Sequence, residues 1–209
     1  MSDEAGASLR WGRARRASTE LLVIFVGVTA AFFVEDLRET LGEREQLRQV
    51  TRGLVAEMYH YEDRGTAHAD SIAQRLARWQ AADASGEQAV PAFYRLPGAP
   101  SPPTAAWDAA VSSGVASMFE PALRIELGYF YNEYVGIHSN YVRHLSFVEL
   151  EILPRVGLGA SAFYGEEGKL GPEFGAQMAL LEEFGRDLGR LSAEAGDLGV
   201  RLEELLASW

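Results

Sequence analysis

Between Leu21 and Val34 the chain runs fourteen residues without a charge, LLVIFVGVTAAFFV, and no other stretch restricts its architecture as strongly. A run this apolar has to be hidden from water, in lipid or in a protein core. As a helix it covers only about 21 Å of a hydrocarbon layer about 30 Å thick. The same frame extends back through Ala17, Ser18 and Thr19, and Phe32, Phe33 and Val34 place bulky apolar groups at its far end. Local thinning of the bilayer absorbs a mismatch of a few Å. Glu20, which the extension takes in, follows Arg16 by four residues, a helical spacing that brings the two side chains together.

Two other readings compete with a retained span. Arg10, Arg13, Arg15 and Arg16 form a basic leader, and Val28-Thr29-Ala30 has the look of a signal-peptide cleavage site. Against cleavage, the helical pattern passes through that site to Leu37 and Leu41 without a breaker. A buried core or amphipathic helix is the third reading. The expectation is a transmembrane helix over 18–34. The four arginines lie on one side of it and Glu35, Asp36, Glu39, Glu43 and Glu45 follow on the other, so the positive-inside rule makes 1–17 a cytoplasmic tail. Residues 35–209 then form an extracytoplasmic, periplasmic domain anchored in a bacterial inner membrane. Within the span, Gly27 and Ala31 make a small-xxx-small pair with Ala30 beside it, a face on which a partner helix can approach closely.

With 30 acidic against 19 basic residues the formal charge is −11, which argues against nucleic acid as a partner. The chain has no cysteine, so disulfides, thiolate metal sites and cysteine nucleophiles are excluded. Lys169 is its single lysine among abundant Ala, Gly and Arg, a composition typical of a high-GC bacterial genome. No segment alternates with period two long enough to make a strand, and no repeat of fixed period stands out. The fold class read from the sequence is all-α: the transmembrane helix continues into an extramembrane antiparallel helical bundle.

The bundle is traced by periodicity. Leu37, Leu41, Leu47, Val50, Leu54, Met58 and Tyr61 fall mostly at steps of three and four, the mark of a long amphipathic stalk. The register continues through Ile72, Leu76 and Trp79, with Gly65 as a candidate break. Five of the eight prolines (91, 97, 100, 102 and 103) fall in 81–104, which reads as a loop. Thr104 is placed to cap a short helix over 105–113 that ends at Gly114. Pro121 opens a long helix carrying Leu123, Leu127, Phe130, Tyr134, Ile137, Tyr141, Leu145, Val148 and Ile152, and Pro154 is expected to stop it. After a glycine-rich loop, Pro172 opens a last helix. Its seam reads Phe174, Gln177, Leu181, Phe184, Leu188, Leu191, Ala195, Leu198, Leu202, Leu205 and Trp209, broken only by Gln177. One position after that seam runs Gly185, Gly189, Ser192, Gly196 and Gly199. A glycine inside a helix costs up to ~1 kcal/mol against alanine, so the stripe points to close approach by a neighbouring helix, within the chain or from a partner.

The order of these pieces resembles a family of uncharacterised bacterial single-span inner-membrane proteins of about 200 residues. The features that carry the resemblance are the span ELLVIFVGVTAAFFVEDLRE, the charged helix GEREQLRQVTRGLVAEM and the box AAWDAAVSSGVASMFEPALRIELGYFYNEY, over Glu20 to about Tyr141. Where spans of that family are often followed by a Trp-Arg pair, this chain has Asp36-Leu37-Arg38. The resemblance implies topology and fold and brings no activity.

Glu57-Met58-Tyr59-His60 is an E-x-x-H, half of a di-iron bundle site, but His138 and His144 have no glutamate three residues before them to complete it. Together with Glu133 they read as polar surface. Gly159-Ala160-Ser161-Ala162-Phe163 lacks the last glycine of a nucleophile elbow, and no phosphate-binding loop, dinucleotide fingerprint or zinc-protease motif occurs. No catalytic, cofactor-binding or metal-binding residue is assigned. Tyr129, Phe130, Tyr131, Tyr134 and Tyr141 read first as core, then as an interface, with Trp107, Tyr131 and Tyr134 singled out beside Gly185, Gly189, Gly196 and Gly199 as helix-packing or interface residues. The function this suggests is a non-catalytic accessory or structural subunit of an inner-membrane complex, for which an electron-transfer or photosynthetic supercomplex is one host. Its expected partners are the membrane and other membrane-protein subunits or further copies of itself, without a small-molecule substrate. The alternative is a periplasmic sensor or ligand-binding module on one span, with a cavity lined by the Tyr129 to Tyr141 region.

Overall fold

The structure, a computed structural model, describes the backbone of residues 4–96 and 104–209 and the side chains of 42–96 and 104–209. Five α-helices follow one another: α1 (Glu4–Ala84), α2 (Ala105–Ser112), α3 (Pro121–Phe147), α4 (Leu153–Val156) and α5 (Pro172–Ala207). Short 3-10 turns lie at Val115–Met118 and Ala160–Phe163, and among the described residues β pairing is limited to one isolated bridge between Tyr164 and Leu170. The chain is therefore all-α. It divides into two compact units, Met1–Arg48 and Gln49–Trp209. The first is helical backbone from Glu4 onward. The span expected at 18–34, with Gly27, Ala30 and Ala31, lies outside the residues whose side chains are described. Among the described residues, no helix is long and apolar enough to cross a membrane.

In the second unit α1, α3 and α5 form a bundle whose sense can be read from side-chain pairs. Ile72, Glu62 and Tyr59 of α1 stand closest to Gly185, Gly196 and Gly199 of α5, so the two helices run antiparallel. Arg190 and Arg201 of α5 pair with Glu133 and Glu126 of α3, again antiparallel. Helices α1 and α3, contrary to the antiparallel bundle expected from the sequence, run parallel, with Tyr131 hydrogen-bonded to Glu57 and Tyr134 against Tyr61. Two neighbouring helices can run parallel only if the chain between them travels the length of the bundle. The extended segment 87–96, α2 and the turn after it lie on that path.

The core follows the periodic apolar positions. Leu54, Met58, Tyr61, Ile72 and Leu76 of α1, Leu123, Leu127, Phe130, Ile137 and Tyr141 of α3, and the α5 seam from Phe174 to Leu202 are buried, with Phe184 half-buried. Each such side chain removed from water stabilises the fold by about 1.5–3 kcal/mol before entropy is counted. A second cluster forms where Val148, Ile152, Phe163 and Phe174 meet, fed by Val90 and Phe93 of the extended segment.

Four local expectations are corrected. Gly65 does not break α1, which continues to Ala84, beyond the expected loop start at 81. It ends in a left-handed glycine, Gly86 (φ +77°), with the Glu87 N–H bonded to the Ala82 carbonyl at 2.9 Å. Thr104 makes no side-chain cap to α2; its hydroxyl donates to Asp108 Oδ2 at 2.8 Å instead. Pro154 does not stop the long helix. The backbone widens into a π turn at Val148–Ile152, where the Leu153 N–H reaches back five residues to the Val148 carbonyl, and continues through Pro154 to Val156. The wider turn accommodates a proline that has no N–H and whose ring crowds the preceding turn. His144, expected at the surface, is buried.

Candidate functional site

The glycine stripe of α5 faces α1. A Cβ built on Gly185 would lie 2.9 Å from Ile72 Cγ2, one on Gly196 2.7 Å from Glu62 Oε1, one on Gly199 3.3 Å from Tyr59 Cε1, and one on Gly189 an ordinary 3.7 Å from Ala69 Cβ. The approach is reciprocal at Gly65 of α1, where an added Cβ would overlap the Ser192 hydroxyl and sit 3.2 Å from Ser192 Cβ. Ser192 itself is buried and returns its hydroxyl to the Leu188 carbonyl at 2.7 Å.

The other interface candidates gather around a buried carboxylate. Trp107 of α2 stacks on Tyr131 of α3, with ring centroids 5.4 Å apart and planes 10° from parallel. The Tyr131 hydroxyl donates to Glu57 Oε2 at 2.5 Å, and Glu57 Oε1 accepts the Ala106 N–H in the first turn of α2 at 3.4 Å. Glu57 thus does for α2 what Thr104 does not: it reaches across from α1 to a helix start whose free N–H groups favour negative charge. Tyr61 completes the cluster, 4.3 Å from Tyr134 and 5.6 Å from Phe130 between ring centroids, and its buried hydroxyl has no hydrogen-bond partner among the described residues. Burial first, and the neighbouring Glu57 charge after it, push the Tyr61 and Tyr131 phenols far above their ordinary range. Both remain protonated at any physiological pH, and the Tyr131 phenol spends its proton on the Glu57 carboxylate. His60 is exposed while Glu57 is buried, so the E-x-x-H pair does not converge on one site. Among the described residues no group of three or more histidines and carboxylates is placed to hold a metal ion.

The second polar cluster was missed in the sequence. His144 of α3 and Gln177 of α5 meet through Nδ1 and the Gln177 amide, and His144 Nε2 lies 3.2 Å from the Tyr94 carbonyl oxygen. Nε2 also lies 3.4 Å from the Tyr94 backbone nitrogen, so the ring faces both the N–H and the carbonyl of that residue, and its tautomer decides which of the two it pairs with. Burial lowers the His144 pKa, opposed by that backbone bond, so the ring is held neutral. The Tyr94 hydroxyl lies 2.6 Å from His68 Nδ1, whose pKa is also lowered, by burial and then by the Arg64 charge. Three more contacts fasten the same extended segment. Tyr141 Oη accepts the Leu96 N–H at 2.7 Å, Met178 Sδ accepts the Ala92 N–H at 3.3 Å, and the Tyr164 hydroxyl is within 3.0 Å of both the Ala89 N–H and its carbonyl. Side chains thus supply the backbone partners that a sheet would otherwise give.

Between that segment and α1 lies an open cleft of about 270 Å³. Its walls include Arg75, Arg78 and Trp79 from α1 and Val90, Pro91 and Phe93 from the segment. The aromatic residues 129–141 line no part of it. Tyr129 is exposed, while Phe130, Tyr131 and Tyr141 are buried and Tyr134 is half-buried against Tyr61. No family model, no curated protein and no solved structure matches this chain.

Proposed function

We propose that the chain is a non-catalytic, single-span accessory subunit of a bacterial inner-membrane complex, with residues 1–17 in the cytoplasm and the bundle outside. The observation that carries this reading is the uncharged run Leu21–Val34, flanked by four arginines before it and an acid-rich stretch after it. The Gly27, Ala30 and Ala31 face then gives a partner helix, from another subunit or a second copy, a place to pack. The resemblance to uncharacterised single-span proteins is consistent with this topology, and an electron-transfer or photosynthetic supercomplex remains one host of the expected kind. The buried groups of the bundle support a structural role: the Glu57 carboxylate and the His144 imidazole each join a side chain, Tyr131 or Gln177, to irregular or helix-start backbone.

The runner-up is an extracytoplasmic sensor or ligand-binding module on the same span. It expected a cavity at Tyr129–Tyr141, yet those rings, apart from exposed Tyr129, pack against Tyr61, Tyr94 and Phe184. Purification of the tagged full chain in a mild detergent, followed by mass spectrometry, tests the subunit reading. Stable co-purification with other membrane proteins, or with a second copy, is the expected result. Recovery of a lone monomer at every detergent strength contradicts it.

A further inference from the structure

The cleft between α1 and the extended segment joins charge to apolar surface in a way the accessory role does not use. Arg75 and Arg78 are three apart on α1, a spacing that puts both side chains on one face. Neither forms an ion pair with any described residue, in a chain where acids outnumber bases. Arg78 is oriented by its own helix, with Nε donating to the Gln74 carbonyl at 3.2 Å, which leaves the terminal N–H groups of its guanidinium available. Compensation of the helix dipole does not account for the pair, since that effect fades within the last turn and α1 ends at Ala84. The bland alternative is a pair of solvated arginines whose stems cover the Trp79 ring.

The opposite walls favour an occupant with an apolar body. Val90, Pro91 and Phe93 line the cleft, and the N–H groups of Val90 and Phe93 have no hydrogen-bond partner among the described residues. Trp79 carries a buried Nε1–H that also lacks an acceptor, a state that costs about 1–3 kcal/mol when nothing relieves it. Two guanidiniums without an ion-pair partner, beside an apolar wall, are a local deficit of acceptors that an anion fills better than water does. A volume of about 270 Å³ lies just below the usual range of small-molecule sites.

We propose that this cleft binds a small aromatic carboxylate, its head group on Arg75 and Arg78 and its ring against Trp79, Pro91 and Phe93. The site stands apart from the subunit reading and survives its failure, because the cleft lies wholly within residues 49–209.

The test is a titration of the ¹⁵N-labelled full chain in mild detergent with phenylacetate, followed at the indole N–H resonance of Trp79, which is assigned as the one that Trp79→Phe removes. Phenylacetamide and inorganic phosphate are run in parallel. The expected result is a saturable shift with phenylacetate and at least about tenfold weaker binding of both controls. In the Arg75→Gln/Arg78→Gln double variant, which changes two exposed positions, phenylacetate should bind at least about tenfold more weakly. The proposal is overturned by an unmoved Trp79 resonance, by a control that binds as tightly as phenylacetate, or by a double variant that binds like the parent.

Discussion

At Glu57 a carboxylate reaches from α1 to the first turn of α2, whereas at His144 a neutral imidazole reaches from α3 to an extended segment. The two residues meet different kinds of backbone, and their chemistry matches what each has to satisfy. A helix start presents only donors, so an acceptor-only carboxylate serves it, and Tyr131 fills the remaining oxygen. An extended segment presents donors and acceptors in turn. A neutral imidazole, with one of each, can serve its carbonyl and still take a bond from Gln177. Irregular backbone can thus be held against a bundle by either route, and burial lowers the pKa of the histidine that serves the second.

The largest effect is expected at the carboxylate. Glu57→Ala leaves the Tyr131 hydroxyl buried without its acceptor and the Ala106 N–H without its cap, and should destabilise the chain by about 2–4 kcal/mol. Glu57→Gln keeps an acceptor and should cost less than half as much. Denaturant titration of the full chain in mild detergent reads both, and equal losses would show that charge, rather than the acceptor, holds α2.

Next comes the helix contact that joins the two regions. Gly65→Ala should cost about 1–3 kcal/mol, because the new methyl overlaps Ser192 across the α1–α5 interface. Adding Ser192→Gly should recover part of that loss, and a double-mutant cycle with no coupling would place the two side chains apart.

The histidine region is expected to respond more gently, and to pH. His144→Leu should cost about 1–2 kcal/mol, by leaving the Tyr94 carbonyl unpaired. Folding depresses the pKa of His144, and burial does the same at His68 and His138, so the unfolded chain binds these protons more readily. Their contribution is full above the ordinary histidine value of about 6.5 and is lost as pH falls from there through the lowered folded values. Melting temperature measured from pH 8 to pH 5 should therefore decline below about 6.5, and the decline should be shallower in His144→Leu. A flat profile in the parent would remove the histidines from the stability of this region.

The smallest effect belongs to the exposed ion pairs between α3 and α5. Arg201→Gln breaks the pair with Glu126 and should change stability by no more than about 0.2–1 kcal/mol, within the range of surface salt bridges.

Much of the bundle was legible because its signal is local. The α5 seam is buried from Phe174 to Leu202 except at half-buried Phe184, and the glycines one position further on meet α1. Its one irregularity, Gln177, is explained by buried His144, to which it is hydrogen-bonded. The clue was present: His144 stands three after Tyr141 and four before Val148, both buried. Glu57 likewise stands three after Leu54 and four before Tyr61, on a buried face, whereas its E-x-x-H partner His60 lies on the exposed one. The fastening of 87–96 had no local signal, since its partners Tyr141, His144, Tyr164 and Met178 lie tens of residues away in sequence. The π turn before Pro154 was hidden for a different reason, because a proline in a helical pattern signals a stop more often than a local widening.

If the chain is a single-span subunit as proposed, the run Leu21–Val34 lies in a membrane and the bundle outside the cytoplasm. Reporter fusions placed after Ser208 measure this directly, one using an enzyme active only in the periplasm and the other a protein fluorescent only in the cytoplasm. The predicted result is activity of the periplasmic reporter alone, with the chain retained in the membrane fraction after alkaline extraction. Activity of the cytoplasmic reporter alone, or a chain released into the soluble fraction, contradicts it.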